Sequence, residues 1–221
     1  ANTTASNNAA LGASSLFANT TGASNTAVGA TSMYANTTGA NNTAVGAYAL
    51  DANTTATGNV AMGMNSLSFN TTGATNVAIG YYALHANTTA SFNTAVGNAT
   101  MQSNTTATGC VAVGSSALNV NTTGDYNTAI GWNSSLLMTT GDRNVSVGNQ
   151  SLDACTTGQY NVAIGNSAFG SLTTAHSNTG IGTNVGAAIS TGLYNVAVGR
   201  SALQSTTTAD NNTAVGYIAL G

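Results

Sequence analysis

The sequence predicts an all-β fold, a parallel β-solenoid or β-roll of thirteen 17-residue coils. Three observations lead there: a motif that recurs every 17 residues without insertion or deletion, an aliphatic column that keeps its place in every repeat, and a composition poor in helix formers. The motif is Asn25-Thr26-Ala27-Val28-Gly29, and its glycine returns at Gly46, Gly63, Gly80 and onward to Gly216. Self-similarity at a fixed period marks a stack of like units that share a core. Thirteen such units fill all 221 residues, so residues 1–221 are expected to form a single repeat domain, a segment of a longer fibre.

Numbered from Ala1, the unit reads A-N-T-T-G/A-x-x-N-T/V-A-V/I-G-x-x-A/S-L-x. Place eleven is aliphatic in every unit, and Val28, Val45, Ile79, Val113, Ile130, Ile164 and Val198 are expected to form the inward core ladder. Place nine is Thr or Val in all units but the first. Places nine and eleven therefore alternate with a small residue, which is the period-two pattern of a strand. Leu or Met at place sixteen, as in Leu50, Leu67, Leu84 and Met101, supplies a second anchor. The alanine column at place ten (Ala27, Ala44, Ala78) is expected to face the other way and to admit a close backbone, either between chains or across a thin coil. Coils stacked about 4.8 Å apart would extend roughly 60 Å.

The corners follow from residue chemistry. Gly29, Gly46, Gly80, Gly114, Gly148 and Gly199 occupy place twelve, where no other residue occurs; a positive φ or a close backbone approach is expected there. Place five alternates between Gly and Ala, which points to a steric limit. Asn at place eight can bond its turn and stack as an amide ladder. Thr at place four, present from Thr4 to Thr208, is expected to form a hydroxyl ladder. Ser134-Ser135-Leu136 and Val185-Gly186 break the pattern at place sixteen, so altered packing is expected at those coils. Charged residues occupy places six, seven, thirteen and seventeen, the expected solvent face.

Composition excludes several functions. Charged residues are 3% of the chain, net charge is -3 and there are two arginines, so no basic surface exists for nucleic acid or anionic lipid. No apolar run reaches membrane-spanning length, so no membrane insertion is expected. The first residues are already repeat, without the pattern of a signal peptide. Cys110 and Cys155 sit three units apart, about 14 Å along a stack and too far for a disulfide. His85 and His176 are five units apart and no acidic pair recurs within a unit; catalysis needs such groups side by side, so neither an enzyme nor a cofactor is expected. The five aspartates form no calcium-binding ladder.

Asn-Thr-Thr tripeptides at Asn2, Asn19, Asn36, Asn53, Asn70, Asn87, Asn104 and Asn121 match the N-glycosylation acceptor pattern. In later units the same place becomes Met138, Cys155, Leu172 and Ile189, replacements that suit a buried column. An internal Asn ladder is therefore the favoured reading and a glycan column the alternative. Repeated threonines raise ice binding, although Thr3 and Thr4 as strand neighbours would face opposite ways.

The stretch Asn76-Val77-Ala78-Ile79-Gly80-Tyr81-Tyr82-Ala83-Leu84 resembles the repeats of phage-type tail fibres. It is also similar to the shorter repeats in the β-roll heads of trimeric autotransporter adhesins. The resemblance covers the whole chain, and its departure is the longer 17-residue period. It implies a structural component of an extracellular fibre or filament, on a cell or virion surface, that is often trimeric and serves as stalk or adhesive surface. An ice-binding β-solenoid and a carbohydrate-binding fibre are the alternatives. The expected partners are copies of the chain, joined laterally or end to end because Leu11, Leu16, Val215 and Leu220 leave both terminal coils uncapped, and a cell-surface glycan.

Overall fold

The computed structural model describes residues 4–221, and each repeat contributes one three-residue strand to a parallel β-solenoid. The chain falls into two compact units, Ala1–Gly109 and Cys110–Gly221. The first carries β1 (Ala9–Leu11), β2 (Thr26–Val28), β3 (Thr43–Val45), β4 (Val60–Met62), β5 (Val77–Ile79) and β6 (Thr94–Val96). The second carries β7 (Val111–Val113), β8 (Thr128–Ile130), β9 (Val145–Val147), β10 (Val162–Ile164), β11 (Thr179–Ile181), β12 (Val196–Val198) and β13 (Thr213–Val215). Within each unit consecutive strands pair in parallel, each residue opposite its equivalent one period away, as Thr26, Ala27 and Val28 lie opposite Thr43, Ala44 and Val45.

The inside of the coil is not where the aliphatic column predicts it. Ala27, Ala44, Ala61, Ala78, Ala95, Ala112 and Ala129, all at place ten, are fully buried. The expected core ladder lies outside: Val28, Val45 and Val198 are half-buried, while Ile79, Val113 and Ile164 are 37% exposed and Ile130 is 40% exposed. The reason is the thickness of the coil. Leu50, Leu67, Leu84 and Leu118 at place sixteen are buried from the opposite wall, and one leucine spans the interior, leaving room only for a methyl group on the strand. The alanine column, expected to face away from the core, lines it instead, and the close neighbour that its small side chains admit is the opposite wall of the coil.

The two irregular coils confirm which places oppose each other. Phe169 replaces leucine at place sixteen and is fully buried. Its ring occupies the space that a Cβ would need at Gly180, place ten of the next coil, and at Gly186, that coil's place sixteen. Ser135, also at place sixteen, meets Ser146 at place ten with their Oγ atoms 2.8 Å apart, and Ser134 Oγ donates to Ser146 Oγ at 2.7 Å. A polar pair thus replaces an apolar one with every hydroxyl partnered, which removes most of the desolvation penalty.

Tight corners require left-handed backbone at places seven, fourteen and sixteen, which are non-glycine except at Gly58, Gly109 and Gly186. In the third coil these are Asn41, Tyr48 and Leu50, with φ of 58°, 57° and 53°. Each such residue costs on the order of 1 kcal/mol, and each is held by hydrogen bonds to neighbouring coils: Asn41 N–H donates to Ala23 O, Tyr48 N–H to Ala30 O and Leu50 N–H to Ser66 O, all at 3.0 Å. The turn glycines behave as expected, with φ of 134° at Gly29, 137° at Gly46 and Gly80, 132° at Gly114, 136° at Gly148 and 126° at Gly199. At place five, Gly39 has no positive φ, but an added Cβ would come within 2.7 Å of Asn53 Nδ2, the steric limit that the Gly/Ala alternation predicts.

Candidate functional site

Alternation along β2 to β13 places Thr or Val at place nine and Val, Ile or Met at place eleven on the outer side, because the residue between them is buried. Parallel pairing in register turns these pairs into two straight ranks: Thr43, Val60, Val77 and Thr94 form one in the first unit, and Val45, Met62, Ile79 and Val96 the other. The second unit repeats the arrangement from Val111 and Val113 onward. Threonine and valine are nearly isosteric, so the first rank keeps its shape while its polarity changes from coil to coil. No charged residue stands in either rank. The result in each unit is an uncharged strip of mostly β-branched side chains, one pair per coil in register.

Behind the strip, two columns of buried amides hold that register. At place eight Asn59 Oδ1 accepts the Asn76 backbone N–H at 2.9 Å and the Asn76 Nδ2 at 3.2 Å, while Asn59 Nδ2 donates to Gly73 O at 2.9 Å. At place two Asn87 Nδ2 donates to Asn70 Oδ1 at 2.8 Å and to Ala90 O at 3.1 Å. The candidate glycosylation sites Asn19, Asn36, Asn53, Asn70, Asn87, Asn104 and Asn121 all lie in this second column with no exposed surface. Their Nδ2 atoms donate inside the coil, so the fold leaves no room for a glycan there. Asn2 lies outside the described residues. The amide-to-amide bonds of this column run as far as Asn104, which donates to Asn87 Oδ1 at 2.9 Å; Asn104 Oδ1 and Asn121 Oδ1 both have no partner among the described residues, and beyond Asn121 the place holds Met138.

The threonine pair divides differently from its expectation. Thr20, Thr37 and Thr71 at place three donate Oγ1 to the place-three carbonyl of the following coil, at 3.0 to 3.1 Å. The invariant threonines at place four, such as Thr38 and Thr72, are exposed. The bonded hydroxyl ladder therefore sits one residue before the predicted one.

Besides the Phe17–Tyr34 stack and the Arg200–Tyr217 pair, two larger side-chain clusters stand on the outer wall. In the first unit the His85 ring lies 4.5 Å from those of Phe69 and Tyr82, and Tyr81 lies 4.4 Å from Tyr82. Ser68 Oγ is 2.8 Å from His85 Nδ1, and burial holds the imidazole below its ordinary pKa. One period before Ser68 stands Asp51, whose carboxyl is raised by burial. The column order Asp51, Ser68, His85 places the serine in the middle, and its side chain is 2% exposed. A nucleophile needs its base on one side and substrate on the other, so this column does not present a hydrolytic site.

The second cluster lies in the other unit at place seven. Arg143 Cζ lies 5.4 Å from the centroid of Tyr126 and 5.6 Å from that of Tyr160. Beside it, at place six, Asp142 Oδ1 accepts the Asp125 backbone N–H at 2.8 Å. His176, the other histidine considered for catalysis, accepts the Gln159 N–H through Nδ1 at 3.0 Å, which makes it a corner fastener. The cysteines are buried and unpaired with each other, and desolvation raises each thiol to about 11.

No protein-family model matches the chain, and no curated protein matches it. Its function is therefore read from the surface itself. Among the described residues no three His, Cys, Asp or Glu side chains gather as a metal site, and no helix is long and apolar enough to cross a membrane.

Proposed function

We propose that the chain is a segment of a non-enzymatic structural fibre whose copies associate laterally through the strip formed by places nine and eleven. The observation that carries this reading is the exposure of Ile79 in the charge-free rank of the first unit and of Val113, Ile130 and Ile164 in that of the second. Contiguous apolar surface of this kind marks an association site. The spacing argues for the partner. A surface that repeats every coil can mesh along its length only with another of the same period, and a second copy has it. Placement outside the cell or on a virion, and an adhesive role with a cell-surface glycan as partner, rest on the likeness of the Asn-x-Ala-Val/Ile-Gly repeats to tail-fibre and adhesin repeats.

Sedimentation equilibrium of the 221-residue chain tests the association. A discrete oligomer, a trimer included, is expected at micromolar protein, and Ile130→Lys with Ile164→Lys should return it to monomers while the circular dichroism stays unchanged. Monomers throughout would overturn the reading. In that event, thermal hysteresis would assign the strip to ice, and a positive glycan array would assign the wall to carbohydrate.

A further inference from the structure

We propose that one edge of the second unit carries a binding site for a planar cation, the guanidinium of an arginine on a partner chain, between Tyr160 and Tyr194 and over Ser177. Place seven of successive coils reads Tyr126, Arg143, Tyr160, Ser177, Tyr194. All five share one backbone conformation, with φ of 56°, 55°, 56°, 58° and 56°. Arg143, Tyr160, Ser177 and Tyr194 each donate their N–H to place six of the preceding coil, at 3.0, 3.1, 3.0 and 3.4 Å. Their Cα–Cβ bonds are therefore parallel, and what stands between any two tyrosines two coils apart is decided by the residue between them.

The interval between Tyr126 and Tyr160 is filled by the chain's own arginine, which shares its guanidinium between both rings. The interval between Tyr160 and Tyr194 has the same length, about 9.6 Å at two strand spacings, but Ser177 leaves it without a large side chain. Tyr160 and Tyr194 are 52% and 59% exposed, so the interval opens to solvent. Two carboxylates flank the interval against one cation: Asp142 lies one coil before Tyr160 and Asp210 one coil after Tyr194, each pinned by accepting a backbone N–H, from Asp125 at 2.8 Å and from Leu193 at 2.6 Å, while the Arg143 guanidinium stands on the Tyr126 side of Tyr160. His176, at place six, holds the corner beside this interval by accepting the Gln159 N–H through Nδ1. A guanidinium is flat and weakly hydrated and can stack against two rings, whereas an ammonium is a strongly hydrated point charge. The site is built from place seven, outside the two ranks at places nine and eleven, and does not depend on lateral association.

The probe is N-acetyl-arginine methylamide, with N-acetyl-lysine methylamide as a control of equal charge, followed by the ring resonances of Tyr160 and Tyr194 in the 221-residue chain. Saturable shifts of both tyrosines are expected, with roughly tenfold weaker binding of the lysine compound. Ser177→Arg should abolish the response by supplying the occupant from within, and the same backbone already carries Arg143 in that conformation. Tyr194→Leu should weaken the response at Tyr160. The proposal is overturned by the absence of saturable shifts, by equal binding of the lysine compound, or by an unchanged response in Ser177→Arg.

Discussion

At the scale of single residues, the fold depends on groups that touch the next coil and tolerates change elsewhere. Asn59→Ala removes the acceptor of a buried backbone N–H and the donor to Gly73 O, and it should cost about 2–4 kcal/mol in chemical denaturation, since buried groups are left unpaired. Thr72→Ala, exposed on the next coil, should change stability by less than about 0.5 kcal/mol. Gly80→Ala should prevent that coil from closing, because φ is +137° and an added Cβ would overlap the Gly97 carbonyl. The thiols give a pH dependence of known sign. Each is raised from 9.0 to about 11 in the fold, so the unfolded chain loses these protons first, and the contribution is intact below pH 9 and lost as pH rises toward 11. The unfolding free energy from urea titrations should fall across that window, by up to about 2–3 kcal/mol per thiol, and Cys110→Ala with Cys155→Ala should flatten the slope.

At the scale of the coil, stability comes from matching the strand to the opposite wall. Gly180→Ala should destabilise by about 2 kcal/mol because its methyl meets the Phe169 ring, and adding Phe169→Leu should recover most of that loss. A coupling energy above about 1 kcal/mol in the double-mutant cycle is the expected result. The period, the strands and the glycine corners were all legible in the sequence, because each rests on a local residue property. Which face of the strand is the inside was not. Alternation says that Thr43 and Val45 share a side, and large aliphatics normally face the core, but here a leucine in left-handed backbone fills the coil from across. One signal could have corrected the reading: the departures at place sixteen, Phe169 and Ser135, are answered at place ten one coil on or nearby, by Gly180 and Ser146. Paired departures of this kind identify places that touch. The aromatic clusters were less legible, since the ring contacts of Phe69, Tyr81, Tyr82 and His85 join four different places of the repeat.

At the scale of the whole molecule, the central claim is that place ten faces the interior, that places nine and eleven face outward, and that copies of the chain cover them. Cysteine labelling tests both halves at once, against native thiols that are buried and weakly acidic. Ala78→Cys and Ile79→Cys differ by one residue on β5, the first fully buried and the second on the outer rank. With a maleimide at neutral pH, the account predicts that Ile79→Cys reacts readily in dilute protein, becomes protected as concentration rises through the association range, and that Ala78→Cys stays unreactive at every concentration. Rapid labelling of Ala78→Cys with Ile79→Cys silent even in dilute protein would contradict the assignment of the faces, and labelling of Ile79→Cys that never responds to concentration would contradict the association.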